Sequence, residues 1–198
     1  MQINRTMPLT VGQVLNLACH EGYPGHHVYN SVRDQHFVRG RGWSEMGALA
    51  LFSPEGFRAE AAANAAAAIV FQPDERIDVF RRTLFPAMGL DPGEADRYVQ
   101  VCDLVDLLSD DTTRIVLNYL DGTLAAPDAA RALRQRALMD QPEALLAYLD
   151  RDGAYALAYT WGRDRLLAGL GDRRELKDRS AYLTRLMTSS EWDLGRQQ

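Results

Sequence analysis

"AEAAANAAAAIVF" (residues 59–71) is the stretch that most directly decides how this chain folds. Alanine carries so little side chain that a helix built from it lets a neighbouring backbone approach closely. The segment therefore predicts a tightly packed helix, opened by Pro54, in the centre of the domain. A helix held this firmly can also position a ligand residue rigidly.

The segments on either side of this stretch are helical as well. Thr10 to Gln13 has the spacing of a capping box before an apolar run. Asp91-Pro92-Gly93-Glu94 is a strong helix start, and we expect the helix behind it to reach Leu120. Its inner stripe would be Tyr98, Val101, Cys102, Val105, Leu108, Thr112, Ile115 and Tyr119. With no period-2 segment and no linker, the sequence predicts one all-α domain over residues 1–198, with about eight to ten helices.

Composition excludes several classes of protein. The chain has 198 residues, a net charge of −5 and no basic patch, which argues against a nucleic-acid-binding protein. No apolar run approaches a membrane span, and the N-terminal segment lacks the apolar region of a signal peptide. Two isolated cysteines indicate buried thiols and not a disulfide framework. We expect a soluble cytoplasmic protein without a membrane partner.

The stretch "CHEGYPGHHVYN" (residues 19–30) holds three of the four histidines. His20-Glu21 resembles the start of the zinc-hydrolase pattern H-E-x-x-H, in which two histidines bind zinc and the glutamate is the general base. Here the next histidines, His26 and His27, come six and seven residues later. Pro24-Gly25 interrupts the helix, and a bulge of about two residues would let a distant histidine return toward His20. The spacing leaves His26 and His27 open as the second ligand, and a hydrogen-bonded cluster without metal is the alternative.

A catalytic zinc site needs three protein ligands and an open position. Two glutamates near the start of the alanine-rich helix are available for the third. Glu55 lies in the first turn, where the helix dipole also favours a carboxylate, and we take it as the ligand. Glu60 is expected to be a supporting or surface residue. The metal set is therefore His20, His26 or His27, and Glu55, holding zinc, although such a set does not exclude iron or manganese.

Three segments resemble motifs of a bacterial family of unknown function whose members carry His-Glu-x-x-Pro-Gly-His-His. They are "HEGYPGHH", "SPEGFRAE" and "GAYALAYTWGRDRL", and the resemblance covers roughly residues 14–185. Members are thought to be zinc-peptidase-like proteins of gluzincin type. The resemblance implies that the His-Glu helix and Glu55 hold the metal, and it matches the family tyrosine to Tyr159, followed by Gly162 and Arg163.

The chain also departs from the family pattern. Phe57 stands where the family usually has tryptophan, and Asn118 and Gly122 replace an aspartate and a histidine that normally follow the arginine matched by Arg114. Family members are much longer before the His-Glu helix. An exposed cleft lined by Tyr23, Tyr29 and Phe37 would follow, so we expect a homodimer or a complex with a separate chain.

These observations predict a zinc-dependent hydrolase acting on a peptide or a small amide. Glu21 would be the general base, and Tyr159 or Arg163 would stabilise the oxyanion. For Tyr159 the alternative is a core tyrosine, and for Arg163 it is an ion pair with Asp164 or a nearby acid. For the whole chain the alternative is a non-catalytic metal-binding helical protein that binds a small ligand or a partner chain.

Overall fold

A computed structural model describes residues 9–189, and within that range the chain is built from helices, with no β-strand. Residues 1–8 and 190–198 lie outside the described residues. Most of the N-terminal segment that was assessed for a signal peptide therefore falls outside them as well. The α-helices are α1 (Val11–Glu21), α2 (His26–Arg33), α3 (Pro54–Val70), α4 (Pro73–Val79), α5 (Phe85–Ala87), α6 (Ala95–Asp106), α7 (Ser109–Leu120), α8 (Ala126–Arg136), α9 (Pro142–Asp152), α10 (Trp161–Leu170) and α11 (Leu176–Thr188).

Short stretches of other helix types extend or join these helices. Helix α2 continues as a π-helix over Asp34–Arg39, and a second π-helix, Phe80–Leu84, joins α4 to α5. Three 3-10 helices cover Ser44–Gly47, Pro92–Glu94 and Gly153–Tyr159. The all-α prediction is confirmed. Within residues 9–189, seven α-helices have 11 residues or more, slightly fewer than the eight to ten expected.

The predicted helix starts are confirmed. The Thr10 hydroxyl accepts a hydrogen bond from the Gln13 N–H at 3.2 Å, and the Gln13 side chain accepts one from the Thr10 N–H at 2.8 Å, which is a complete capping box. Ser53 caps α3 with Pro54 as the first helical residue. Asp91 caps the short helix that leads into α6.

The prediction of one helix from Asp91 to Leu120 is wrong. Two helices, α6 and α7, cover most of this stretch, with a break at Leu107-Leu108, and the buried residues of α6 are Ala95 and Val99. Val101 and Val105, assigned to the inner face, are 52% and 46% exposed. Ile115, further along on α7, is buried as expected.

Helix α3 occupies the centre of the molecule, as the alanine-rich stretch predicted. Six of its alanines are at most 3% exposed, and α1, α2, α10 and α11 all contact it. The approach of α10 is so close that a Cβ atom on Gly162 would lie 2.9 Å from the Cβ atom of Ala61. Small side chains on both helices therefore set how near the two backbones come, and they fix α3 as the frame on which the other helices are placed.

Three apolar clusters surround this frame. One lies between α2, α3, α10 and α11, and a second joins α1 and α3 to the segment from α4 to α6. The third is formed by α7, α8, α9 and the 3-10 helix Gly153–Tyr159. No helix among the described residues is both long and apolar enough to cross a membrane.

The aromatic cleft predicted beside the histidines is largely absent. Tyr29 and Phe37 are both 0% exposed, because α2 and its π-helical extension bury them. Tyr23 alone of the three is exposed, at 73%. Two of the three residues that were expected to form an exposed dimer face are therefore buried. The dimer itself stays a prediction.

Candidate metal centre

The turn between α1 and α2 brings two histidines together. Helix α1 ends at Glu21, and the chain passes through Pro24, whose preceding peptide bond is cis, before α2 begins at His26. The Gly25 N–H donates to the Cys19 carbonyl at 2.9 Å, which folds the turn back onto the end of α1. A Cβ atom at Gly25 would lie 1.8 Å from the His20 carbonyl oxygen, so only glycine fits this close approach.

The result of this turn is a contact between the His20 and His26 rings. Their centroids are 4.7 Å apart, with the ring planes nearly perpendicular. The interruption of the helix therefore does what the spacing predicted, and it selects His26 from the two alternatives. His27 points elsewhere, since its ring lies 5.3 Å from that of Tyr23.

Helix α3 supplies a carboxylate to this pair. The two oxygens of Glu60 lie 3.2 Å from Nε2 of His20 and 3.2 Å from Nε2 of His26. Each of the three residues offers one ligand atom, and these atoms all lie within 4.8 Å of one another. We call His20, His26 and Glu60 the His-His-Glu cluster.

The cluster has the donor set of a catalytic zinc site. Ligand atoms bound about 2.0–2.1 Å from a tetrahedral ion lie about 3.3 Å from one another. The two measured contacts, both 3.2 Å, are close to this spacing and involve different oxygens of Glu60. Two imidazoles and one carboxylate are a common set of three protein ligands, and they leave a fourth position open. The same contacts are also consistent with a hydrogen-bonded ion pair, so geometry alone makes the cluster a candidate.

Hydrogen bonds within the cluster determine the ionisation of Glu60 and His26. Burial raises the pKa of Glu60, but hydrogen bonds from His20 and His26 outweigh this effect and hold the pKa well below its usual range. In turn, the hydrogen bond to Glu60 raises the pKa of His26. Glu60 is therefore an ionised carboxylate in a site where its side chain is only 12% exposed.

Asn64 holds Glu60 from the next turn of α3. Its side-chain amide donates to the Glu60 carbonyl at 2.8 Å and lies 3.4 Å from a carboxylate oxygen of the same residue. A hydrogen bond to a ligating carboxylate orients it toward the ion and is a usual feature of metal sites. The alanine run thus carries both the candidate ligand and the residue that orients it.

Three tyrosines from α9 and the 3-10 helix stand near the cluster. Burial and the charge of Glu60 raise the pKa of Tyr155 to about 12 and that of Tyr159 further. Burial also raises the pKa of Tyr148, and Asp152 and Glu60 add to it. All three hydroxyls therefore stay protonated near neutral pH and can donate hydrogen bonds to an oxygen in the site.

A cavity of about 360 Å³ adjoins the cluster, and we call it the polar cavity. It is lined by His20 and by all three residues that the sequence proposed as catalytic, Glu21, Tyr159 and Arg163. Glu21 has a side chain that is 41% exposed, and its carboxylate lies 4.0 Å from Nε2 of His20. His20 and Arg163 therefore line the same cavity, although they are 143 positions apart in the chain.

Arg163 is engaged by acidic neighbours, as its alternative interpretation proposed. Its Nε lies 3.0 Å from Asp164, and one terminal nitrogen lies 3.6 Å from Asp106. The guanidinium thus lines the polar cavity while it forms ion pairs with these two carboxylates. The ion pairs reduce the positive charge that Arg163 offers to a group in the cavity.

The assignment of Glu55 as the third ligand is corrected by the structure. Glu55 lies 3.0 Å from Arg33 and 2.9 Å from Arg58, and it accepts a hydrogen bond of 2.8 Å from the Tyr29 hydroxyl. Five residues along an ideal helix rotate a side chain by about 140° and move it about 7.5 Å, so Glu55 and Glu60 face different neighbours. Of the two glutamates, Glu60 is the one that meets the histidines.

A signal for Glu60 was present in the sequence. It is the only charged residue between Arg58 and Asp74, within a run of alanines that predicted burial. A charge placed in such a run is rarely buried unless it is paired or binds a cation. The motif-based choice of Glu55 passed over this signal, because Glu55 also lies in a favourable first helical turn.

No protein-family model, curated protein or solved structure matches this chain. The resemblance to the His-Glu-x-x-Pro-Gly-His-His family therefore rests on the motifs alone.

Proposed function

We propose that this chain is a zinc-dependent hydrolase that cleaves peptide or small amide bonds. The observation that carries the proposal is the His-His-Glu cluster, whose His20 lines a cavity that also presents Glu21, a carboxylate outside the cluster. A site that only held a metal for stability would be closed by a fourth protein ligand and would have no use for a neighbouring base.

His20, His26 and Glu60 would hold the ion. When bound, zinc lowers the pKa of its water to about 7 and polarises a carbonyl oxygen. Iron and manganese also accept imidazole and carboxylate ligands, so the donor set favours zinc through its geometry and not through affinity. Asn64, whose amide lies 3.4 Å from a carboxylate oxygen of Glu60, would help to keep that carboxylate in the ligating orientation.

Glu21 would act as the general base and then as the general acid. It follows His20 directly, yet its carboxylate is not among the three groups that converge on the cluster. Its side chain faces the polar cavity and is partly in contact with solvent. It would accept a proton from the attacking water and deliver that proton to the leaving amine, a contribution of about 10²–10⁴-fold.

Tyr159 would stabilise the oxyanion. Its hydroxyl stays protonated at neutral pH, lines the cavity and is hydrogen-bonded to Glu60 and Tyr148. In this role the hydroxyl would turn from Glu60 toward the developing negative charge and donate its hydrogen bond there. Arg163 lines the same cavity and would add positive charge there, moderated by its ion pairs with Asp164 and Asp106.

The second candidate function is a metal-binding helical protein without hydrolytic activity. The pairing of Arg163 with two carboxylates favours it, because an arginine engaged in this way offers less charge to an oxyanion. The two candidates share the metal and differ in whether Glu21 takes part in proton transfer.

Elemental analysis and a hydrolysis assay on three variants test the proposal. Protein purified without chelators should contain about one zinc per chain and cleave a mixed peptide substrate. Glu60→Gln should lose the zinc, while Glu21→Gln should keep it and lose at least 100-fold in rate. Glu94→Gln, at an exposed position on another helix, is the matched control and should change neither.

The outcomes separate the two candidates. Stoichiometric metal without any hydrolysis in the unmodified chain would favour the non-catalytic protein. The absence of any transition metal would contradict both. A Glu21→Gln protein that came out metal-free would make Glu21 a ligand and overturn the assigned roles.

A further inference from the structure

A second cavity, of about 350 Å³, meets the polar cavity at Tyr159, which lines both. We call it the apolar cavity. Its wall comes from the third apolar cluster, on α7, α9 and the connecting segments. Residues that characterise it are Val116, Met139, Leu145, Ala156 and Leu157.

The two cavities differ in chemistry. The polar cavity presents the amide side chains of Gln13, Asn16 and Asn64 together with Glu21 and Arg163, beside the apolar side chains of Leu9, Leu17, Ala63 and Ala67. Among the described residues, no charged side chain lines the apolar cavity. The Thr112 hydroxyl in its wall donates to the Leu108 carbonyl at 3.1 Å, and the Thr160 hydroxyl accepts from Thr113 at 2.8 Å. The hydroxyls of Tyr148 and Tyr159 are the other polar groups of the wall, so a mainly apolar group suits this cavity.

Tyr159 connects the apolar cavity to the candidate metal centre. Its side chain lines both cavities, and its hydroxyl is hydrogen-bonded to Glu60. A ligand whose reacting carbonyl lay against the Tyr159 hydroxyl would thus have the apolar cavity within reach of its next atoms. Ligand pockets range over about 300–1,000 Å³, so this cavity lies at the small end of that range and has room for one large side chain.

We propose that the apolar cavity is the specificity pocket of the hydrolase, which binds a branched aliphatic or aromatic side chain next to the scissile bond. This inference rests on the proposed function, because it takes the His-His-Glu cluster as the reacting centre. The substrate class is then a peptide or amide with a large apolar group on one side of the bond. The polar groups of the polar cavity would face the other side.

Binding of hydroxamates to the zinc-loaded full chain tests the pocket separately from the metal. Acetohydroxamate reports on the metal alone, whereas 3-phenylpropanohydroxamate and 4-methylpentanohydroxamate add an apolar group. We expect the two apolar compounds to bind at least tenfold more tightly than acetohydroxamate in calorimetry, because apolar surface is removed from water. A 3-carboxypropanohydroxamate should gain nothing.

Two filling variants on different helices locate the effect. Ala156→Leu and Thr112→Leu should each reduce the tenfold gain to less than threefold, while acetohydroxamate affinity and zinc content stay unchanged. Ala154→Leu adds the same side chain at an exposed position of the same 3-10 helix and should keep the full gain. Unchanged acetohydroxamate binding also shows that each variant is folded.

The possible failures are distinguishable. Equal affinity for all the hydroxamates would overturn the pocket and leave the metal centre standing. A gain that persists in both filling variants would place the apolar group elsewhere and overturn the pocket as well. Absence of zinc and of acetohydroxamate binding would remove the proposed function, and the pocket inference with it.

Discussion

Replacing Glu55 by glutamine tests most directly which glutamate of α3 belongs to the metal. The substitution keeps the size of the side chain and removes its charge. In the structure the Glu55 carboxylate forms ion pairs with Arg33 and Arg58, which are 4% and 1% exposed. Tyr29 adds a hydrogen bond to the same carboxylate. We therefore expect Glu55→Gln to weaken the folded state and to leave the zinc in place.

The size of the effect follows from the burial of these partners. Removing one member of a buried ion pair costs about 3–5 kcal/mol, because the remaining charge stays desolvated. Glu55 itself has a side chain that is 28% exposed, so water partly compensates and the lower end, about 3 kcal/mol, is expected. For a chain of this size each kcal/mol lowers the melting temperature by about 2–4 °C, which gives a fall of roughly 6–12 °C.

Urea unfolding and elemental analysis measure the two quantities on the same sample. Glu143→Gln is the matched control, since it breaks an ion pair with Arg134 in which the Glu143 side chain is 63% exposed and the Arg134 side chain 48% exposed, and it should leave the free energy of unfolding nearly unchanged. A Glu55→Gln protein that lost its zinc but kept its free energy of unfolding within 1 kcal/mol would refute the reasoning. In that case Glu55, and not Glu60, would be the ligand.

Three further substitutions probe the fold around the site. Gly25→Ala should lower zinc affinity at least tenfold in a chelator competition, because its Cβ atom would meet the His20 carbonyl at 1.8 Å and force the turn apart; unchanged affinity would show that the turn does not set the site. Gly162→Ala should cost about 1–3 kcal/mol in urea unfolding, since the new methyl would lie 2.9 Å from both Ala61 and Phe57; no loss would mean that α10 can move away freely. Tyr29→Phe should cost about 1–3 kcal/mol and keep the zinc, as it removes a hydroxyl that bridges buried polar groups; loss of metal there would tie Tyr29 to the site directly.

Local rules were sufficient for much of the fold. The caps at Thr10, Ser53 and Asp91 form between residues two or three apart, and the structure contains them all. The central position of α3 followed from its alanines, because a nearly bare helix has to be packed closely to exclude water. The long helix ending at Leu120 failed because the apolar periodicity continues across Leu107-Leu108, whereas the chain turns there.

The amino-acid sequence was enough to predict the local part of the site. It indicated that a Pro-Gly break would bring a second histidine back to His20, and that Glu21 would stand beside it. Those are relations within eight residues, where backbone geometry leaves few arrangements. The choice between His26 and His27 already needed the structure, because one residue turns a side chain by about 100° on a helix.

The carboxylate that completes the cluster could be identified only from the packing of the helices. Glu55 and Glu60 lie on the same helix but on different faces, and each face packs against different neighbours. Glu55 forms ion pairs with the buried arginines, whereas Glu60 contacts the two histidines. Likewise, Tyr159 and Arg163 reach the wall of the same cavity as Glu21 because the 3-10 helix Gly153–Tyr159 and α10 both pack against α3. Contacts between distant segments depend on the packing of every helix at once, so local sequence rules cannot specify them.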